Sequence, residues 1–367
     1  MLSESKPLIR VVCTWCTNRA GYACIICIYM YTQVVWTRLY KTDSSQDGGT
    51  MYQLRNLINR RNVVTDPKKD MNACEDFLEL VTNAHILAAA MQKFNMKSLT
   101  DPLTSELFQT NQELSQKERL AMLDSAVRTI ISDFVDISFT KKRKKVAKNQ
   151  DHILEYAKET LTMGLMFLEF KDAVREGDGE RVLRCWKFLF LFFRASGHTN
   201  YTLEALTLLS HYYYLLLPRY AEQMKWNRFV NTQGKRGANI SADLHIEHLN
   251  RICKEAVNHL GANKTPKAVT RIGKVVGVVS STLDHYDEVT GVDHGSDRHT
   301  RRSDKDDLNL VLKELLNSKV FVYSKGRKHR TFPRIHCNMF NSINRAKLDS
   351  WISTNFTKLR LSSSFNH

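Results

Sequence analysis

From Met71 the apolar positions fall at steps of three and four. Phe77, Leu80, Val81, Ala84, Leu87, Ala88 and Met91 share one side of a 3.6-residue repeat, which predicts an amphipathic helix, and Asn72 with Glu75 three residues on reads as its cap. After a loop over 101–115 the period returns across 116–137 through Leu120, Leu123, Val127, Ile130, Ile131 and Phe134. Helices follow over 151–175, 179–196, 201–217 and 218–231, separated only by "EGDG", "SGHTN" and Pro218, and connections this short set neighbouring helices antiparallel. The stretch "CWKFLFLFFRASGHTNYTLEALTLLSHYYYLLL" is apolar nearly all round each helix, the mark of a buried hairpin. Consecutive rings on a helix point in different directions, so these aromatics are assigned to the core and not to a base-stacking platform.

Beyond the loop "NTQGKRGANIS", a mixed apolar face of Leu244, Ile246, Leu249, Ile252, Ala256 and Leu260 predicts a helix ending at Gly261, with Ser241 or Asp243 as its cap. Another helix is expected over 269–283, with Lys264, Lys267, Arg271 and Lys274 as a basic edge whose N–H-rich start could receive a phosphate. The polar stretch "DEVTGVDHGSDRHTRRSDKDD" reads as a loop and 308–318 as a further helix. The first part of "KVFVYSKGRKHRTFPRI" alternates apolar and polar, which predicts a small β-hairpin or extended arm near the C-terminus. The expected fold is mainly α, a multi-helix bundle with short connections. Its parts are a leader over 1–33, a helical part over 34–140, a basic linker over 141–150, a helical core over 151–290, a polar loop over 291–307, and a helix with a basic arm over 308–367.

Composition agrees with that pattern: 367 residues, 43% of them hydrophobic and 25% charged, are ordinary for a folded protein, and 15 Gly with 6 Pro leave few turns for many short strands. Charge adds something new. Fifty-four Lys and Arg against 38 Asp and Glu give a formal +16, which favours an anionic partner such as nucleic acid or an anionic membrane surface. Eight cysteines are too few for a disulfide scaffold, and Cys74, Cys185, Cys253 and Cys337 stand singly among apolar neighbours as reduced core residues.

Four kinds of candidate chemistry stand out. Cys13, Cys16, Cys24 and Cys27 form two C-x-x-C pairs that could supply four thiolates to a zinc ion, although "CIICIYMY" is more apolar than a zinc knuckle needs. Residues 20–37 carry no charge and approach the length of a membrane span, against a plainer reading as a buried helix or irregular leader. The run Lys141, Lys142, Arg143, Lys144 and Lys145, and the later group Lys325, Arg327, Lys328, Arg330 and Arg334, are cationic patches suited to phosphates or, for the first, nuclear import. In "ADLHIEHLNR", Asp243 and Glu247 lie one turn apart and could hold magnesium or manganese through oxygen ligands, with His245 and His248 beside them. The H-E-x-x-H spacing of a zinc site is missing there, and a capping Asp with a surface Glu explains the same residues.

Three long blocks, "DGGTMYQLRNLINRRNVVTDPKKDMNACEDFLELVTNAHILAAAM", "EFKDAVREGDGERVLRCWKFLFLFFRASGHTNYTLEAL" and "ADLHIEHLNRICKEAVNHLGANKTPKAVTRIGKVVG", resemble the family catalogued as domain of unknown function 6589, from about Val34 to the C-terminus. The resemblance implies transposon-like, multicopy genes of animals and fungi, and an activity of the acidic two-metal nuclease or recombinase type, with Glu247 and perhaps Asp243 as the helical acid. Relatives carry further acidic "GD" motifs upstream, whereas residues 1–33 hold Glu4 as their single acid, so the leader is expected to be foreign to the family, from a truncated copy or a misassembled first exon.

These readings give a leading expectation: a transposon-derived, nuclear or else cytoplasmic, nucleic-acid-associated helical protein that is catalytically incomplete and needs no cofactor. The rival is a divalent-metal-dependent nuclease or transposase-like phosphoryl transferase using Asp243 and Glu247 with acids such as Asp66, Asp70 or Asp178, and magnesium or manganese as cofactor. A membrane-tethered helical protein using residues 20–37 is the third reading.

Overall fold

The computed structural model describes residues 71–99, 101, 115–135, 149–261, 264–291, 304–328, 340 and 343–364. Among them the chain is mainly α, with ten α-helices, one π-helical turn and a single pair of two-residue strands. The described residues divide into two compact units, one drawn from 71–171, 183–215 and 304–364, the other from 172–182 and 216–291. Helices α3 (His152–Glu176) and α4 (Gly179–Ala195) give residues to both.

In the larger unit α1 (Met71–Lys93) packs on α9 (Asp304–Asn317), and α5 (Thr199–Ser210) on α10 (Arg345–Ser364). Phe77, Val81, Ala84 and Ala88 of α1, Trp186, Phe192 and Phe193 of α4 and Val311, Leu312 and Leu315 of α9 are all buried. The aromatic stretch thus forms core where the helical phase turns it inward. Gly164 of α3 sets one helix spacing: a Cβ there would stand 2.3 Å from Thr82 Oγ1 and 2.9 Å from Thr82 Cβ, so any side chain would push the two helices apart. Lys171, 2.8 Å from Glu79 and 3.8 Å from Glu75, ties α3 to α1. Helix α2 (Gln116–Phe134) opens with a capping box, in which Ser115 and Glu118 each accept the other's backbone N–H, and reaches α1 through an ion pair between Asp133 and Lys93.

Residues 318–328 follow α9 as turns and not as strands. Several of their backbone groups are engaged: the N–H groups of Val320 and Val322 bond to the carbonyls of Leu315 and Lys319, and Gly326 N–H to that of Asn149. Asp151, at the start of α3, accepts the N–H groups of Ile153 and Leu154 on Oδ1, the Ser324 N–H on Oδ2, and both arms of the Arg327 guanidinium at 2.8 and 2.9 Å. Arg327 donates further to the carbonyls of Ser318, Lys319 and Val322. Phe321, held in the same turn, packs edge-on against His85 of α1 and Phe134 of α2. The rest of the expected C-terminal hairpin lies outside the described residues.

The one strand pair sits elsewhere, in the smaller unit, where β1 (Phe229–Val230) runs antiparallel to β2 (Ile240–Ser241) with Phe229 opposite Ser241. Before it comes α6 (Pro218–Trp226); after it come α7 (Ala242–His259) and α8 (Pro266–Thr290), which pack on each other. Asp178 caps α4 by accepting from Glu180 and Arg181 N–H, and the buried Lys225 of α6 lies between Glu180 at 3.0 Å and Glu222 at 2.8 Å. Asn239 donates to the carbonyl of Arg175 at 2.9 Å, fixing the hairpin loop on the end of α3.

Most helix ends fall within a turn of their sequence-based positions, but α6 stops at Trp226 where the sequence predicts helix to 231, because Phe229–Val230 pairs as β1, and three further differences are instructive. Helix α1 already begins at Met71, which places Asn72 within it and not ahead of it. Helix α8 runs to Thr290 and stops at Gly291 in the left-handed region, so the front of the expected polar loop is helical. Helix α10 was not foreseen, although Leu348, Trp351, Ile352, Phe356 and Leu359 recur at helical steps, because serines and threonines dilute the signal. Cys185 is buried and Cys253 half-buried, and neither is in a disulfide.

Two stability predictions follow from the larger unit. Asp151→Ala strands the Arg327 guanidinium and uncaps α3, and should cost about 3–5 kcal/mol in chemical denaturation, with Arg327→Lys losing a smaller part because an ammonium cannot fill both arms of the fork. Burial pushes His85 down to about 4, its Nδ1 lying 2.7 Å from the Val81 carbonyl. An unfolded chain takes up that proton near 6.5, so the stabilisation is complete above that pH and is lost as pH falls from about 6.5 to about 4. Urea midpoints between those limits should fall in the natural chain and fall less in His85→Leu. Asp151, whose pKa is lowered because the Arg327, Ser324 and Leu154 hydrogen bonds outweigh its burial, acts at more acid pH.

Candidate nucleic-acid interface

Helix α4 shows how one sequence makes both core and surface. Val182, Leu183, Cys185, Trp186, Leu189, Phe190, Phe192 and Phe193 point inward, which leaves Arg184, Lys187 and Phe188 exposed and Leu191 and Arg194 half-exposed at steps of three and four. After its Glu180 this helix has no acid. At the end of α5 the chain widens into a π-helical turn, His211–Leu215, and such turns re-aim side chains. Tyr213 and Tyr214 are 46% and 76% exposed there, large rings turned to water.

Cations and rings interleave across this face. The Lys187 ammonium lies 4.8 Å from the centre of the Tyr213 ring, and the Arg194 guanidinium 4.9 Å from that of Trp351 in α10. Tyr214 meets Phe356 edge-on at 5.5 Å, and Phe190 lies 6.3 Å from Trp351. Lys347 and Lys358 of α10 are exposed, and the helix carries four cations against the single acid Asp349. Phosphates can approach the cations while bases stack on the open rings, the combination that single-stranded nucleic-acid surfaces use. Sequence reading missed these residues because the same stretch reads as uniformly apolar; the repeat of 184, 187, 188, 191 and 194 was the available signal.

Of the sequence-predicted cations, Lys325 and Lys328 are exposed, while Arg327 is turned inward onto Asp151. Lys141, Lys142, Arg143, Lys144, Lys145, Arg330 and Arg334 lie outside the described residues, as do Cys13, Cys16, Cys24, Cys27, Asp66, Asp70 and residues 20–37. Among the described residues no helix is long and apolar enough to cross a membrane.

Asp243 and Glu247 lie in the first two turns of α7, Asp243 half-buried and Glu247 exposed. Ser241 holds the cap position, but its hydroxyl accepts no cap bond; the start of α7 is fixed instead by the Ala242 N–H on the Arg228 carbonyl at 2.7 Å. Asp243 stands where a negative charge complements the helix dipole. His248 is pushed below its usual range by partial burial and then by Arg251 and His245. Among the described residues no group of three or more His, Cys, Asp or Glu could hold a metal ion, and Asp178 is engaged in capping α4.

Residues 29–299 match the family of unknown function DUF6589. The chain belongs to that family. No curated protein and no solved structure matches the chain. The DUF6589 span takes in α1 to α8 and leaves α9, Arg327 and all of α10 beyond its end. Arg327 and Trp351 therefore reach from outside the span to Asp151 and Phe190 within it.

Asp243 and Glu247 together offer a metal at most two carboxylates from one face of a single helix. The expected outcome of magnesium or manganese titration by calorimetry is the same weak binding in the natural chain and in Asp243→Asn, Glu247→Gln. Micromolar to low-millimolar binding that vanishes in the double variant would instead assign these acids to a metal centre.

Proposed function

We propose that this DUF6589 member is a non-catalytic, nucleic-acid-binding helical protein, derived from a mobile element and acting in the nucleus. The observation that carries the reading is the interleaved face of Lys187, Arg194, Tyr213, Tyr214 and Trp351, with Arg184, Lys347 and Lys358 around it. The formal charge of +16 supports it, because that excess raises the local concentration of any polyanion. Lys325 and Lys328 are further exposed cations, and in the sequence Arg330, Arg334 and the run from Lys141 to Lys145 add to the cationic excess. The run also suits nuclear import.

Fluorescence anisotropy with labelled single-stranded DNA, duplex DNA and RNA across a salt series tests this reading. Lys187→Gln should lower the slope of log affinity against log salt by about 0.7 on a single strand, the value for one phosphate contact. Tyr214→Ala should weaken single-strand binding about fivefold or more, since stacking a base on an aromatic ring contributes roughly 1–3 kcal/mol, and should affect duplex less. Affinity that is indifferent to salt, or unchanged in both variants, overturns the reading.

A further inference from the structure

Helix α8 is 25 residues long, opened by Thr265, whose side chain accepts the Ala268 N–H, and closed by Gly291. It packs on α7, and among its described side chains only Ala268, Ile272 and Asp287 are partly covered while all the others are exposed. Lys267, Arg271 and Lys274 follow one another at steps of four and three, so they stand in one row over the first half of the helix. Lys264, also exposed, leads into that row, its ammonium 3.4 Å from Asn258 Oδ1.

No acid answers these charges. Between Glu255 and Asp284 the sequence has neither Asp nor Glu, and among the described residues Lys267, Arg271 and Lys274 enter no ion pair. On α2, by contrast, Arg128 holds Asp124 at 2.7 Å one turn away. The first turn of α8 also lacks an acid, so the positive end of the helix dipole adds to the row instead of being neutralised. Gly273 and Gly277 lie one turn apart on the adjoining side, and a Cβ at either would meet no atom within 4 Å. Each glycine costs the helix about 1 kcal/mol relative to Ala, and no packing among the described residues calls for it. Bare backbone beside the row lets an outside surface come close.

Shape and chemistry together select the partner. A helix with its side chains is about 10–12 Å across, and the major groove of B-form DNA is about 12 Å wide, with phosphates along its rims. A helix open on every side but the one facing α7 can enter such a groove with its cations on the rim. The deep, narrow major groove of an RNA duplex excludes it. From 264 to 283 the sequence has no Phe, Tyr or Trp, so unpaired bases find no ring to stack on. Helix α8 also lacks Trp and Phe throughout, side chains that seat interfacial helices in a bilayer. We propose that the first half of α8 is a duplex-DNA site, seated in the major groove with Lys267, Arg271 and Lys274 on the phosphate rim. The site shares no residue with the face of α4 and α10, so each can fail while the other stands.

Anisotropy of the full chain with labelled duplex DNA, single-stranded DNA and duplex RNA across a salt series tests the site, with circular dichroism as the control for folding. Lys267→Gln combined with Lys274→Gln should lower the slope of log affinity against log salt on duplex DNA by about 1.8, at about 0.9 for each phosphate contact, and leave the single-strand slope as it was. Lys117→Gln combined with Lys313→Gln removes the same charge from exposed positions elsewhere and should leave both slopes unchanged. A duplex slope that the α8 pair leaves in place, or a single-strand slope that falls as much, overturns the proposal. Equal affinity for duplex RNA overturns it too, as does capture by phosphatidylserine vesicles in flotation with no duplex DNA bound. None of these outcomes depends on Lys187→Gln, whose effect on single-strand binding reports on α4.

Discussion

A carboxylate buried to 1% of its side-chain surface has to be completely satisfied or it destabilises everything around it, and Asp151 is satisfied from three directions at once. The start of α3 supplies two N–H groups, the turn after α9 supplies Ser324, and Arg327 supplies a two-armed guanidinium. The backbone adds the His152 N–H to the Arg327 carbonyl at 2.8 Å and the Gly326 N–H to the Asn149 carbonyl at 3.2 Å. Residues 176 positions apart in the chain are thereby locked together. The ring of Phe321, carried by this turn, completes the contact with His85 and Phe134, so the order of α1, α2, α3 and α9 depends on a polar junction as much as on the core. Such a buried pair contributes less to net stability than to selecting one arrangement, since apolar replacements of similar volume can be equally stable. In this chain it chooses where the segment after α9 goes.

That choice explains why the basic arm was only partly legible. Composition marks Lys325, Arg327 and Lys328 as one cationic group, but the geometry separates them. Arg327 spends its donors on Asp151 and on three carbonyls, while its two neighbours face water. A β-hairpin beginning at Lys319 would need the carbonyls that Arg327 occupies, which is why an alternating pattern in the sequence resolves into turns. An anchor of this kind is invisible locally, because its partner lies at the far end of the chain.

Helices were legible where burial and period coincide. The spacing of Phe77, Val81, Ala84 and Ala88 places α1 correctly, and short links such as "EGDG" mark the boundaries of α3 and α4. In "HYYYL" the period fails, because a π-helical turn changes the phase at the point where Tyr213 and Tyr214 leave the core. The aromatic run was therefore read correctly for Trp186, Phe192 and Phe193 and incompletely for the rings that matter at the surface. "ADLHIEH" was legible as a helix start, but the bond from Ala242 to Arg228 that fixes it depends on the strand pair, and no local signal announces so short a hairpin.

Counting charge gives the last constraint. Lys225 with Glu180 and Glu222, Arg181 with Asp172, Lys171 with Glu79, and Arg327 with Asp151 all take cations out of play. Each such pairing also takes out at least one acid, so the excess of +16 is untouched by any amount of internal ion pairing. The uncompensated charge must then sit on solvated side chains, and on α4, α10 and the first half of α8 the exposed charges are mostly cations. An excess carried on helix faces, where acids are scarce over several turns, cannot be relaxed by local rearrangement. Small counterions or a polyanion must neutralise it, and the polyanion gains the entropy of releasing those counterions. The salt-sensitive association proposed for this chain would follow from where the helical phase leaves the lysines and arginines, before any sequence preference enters.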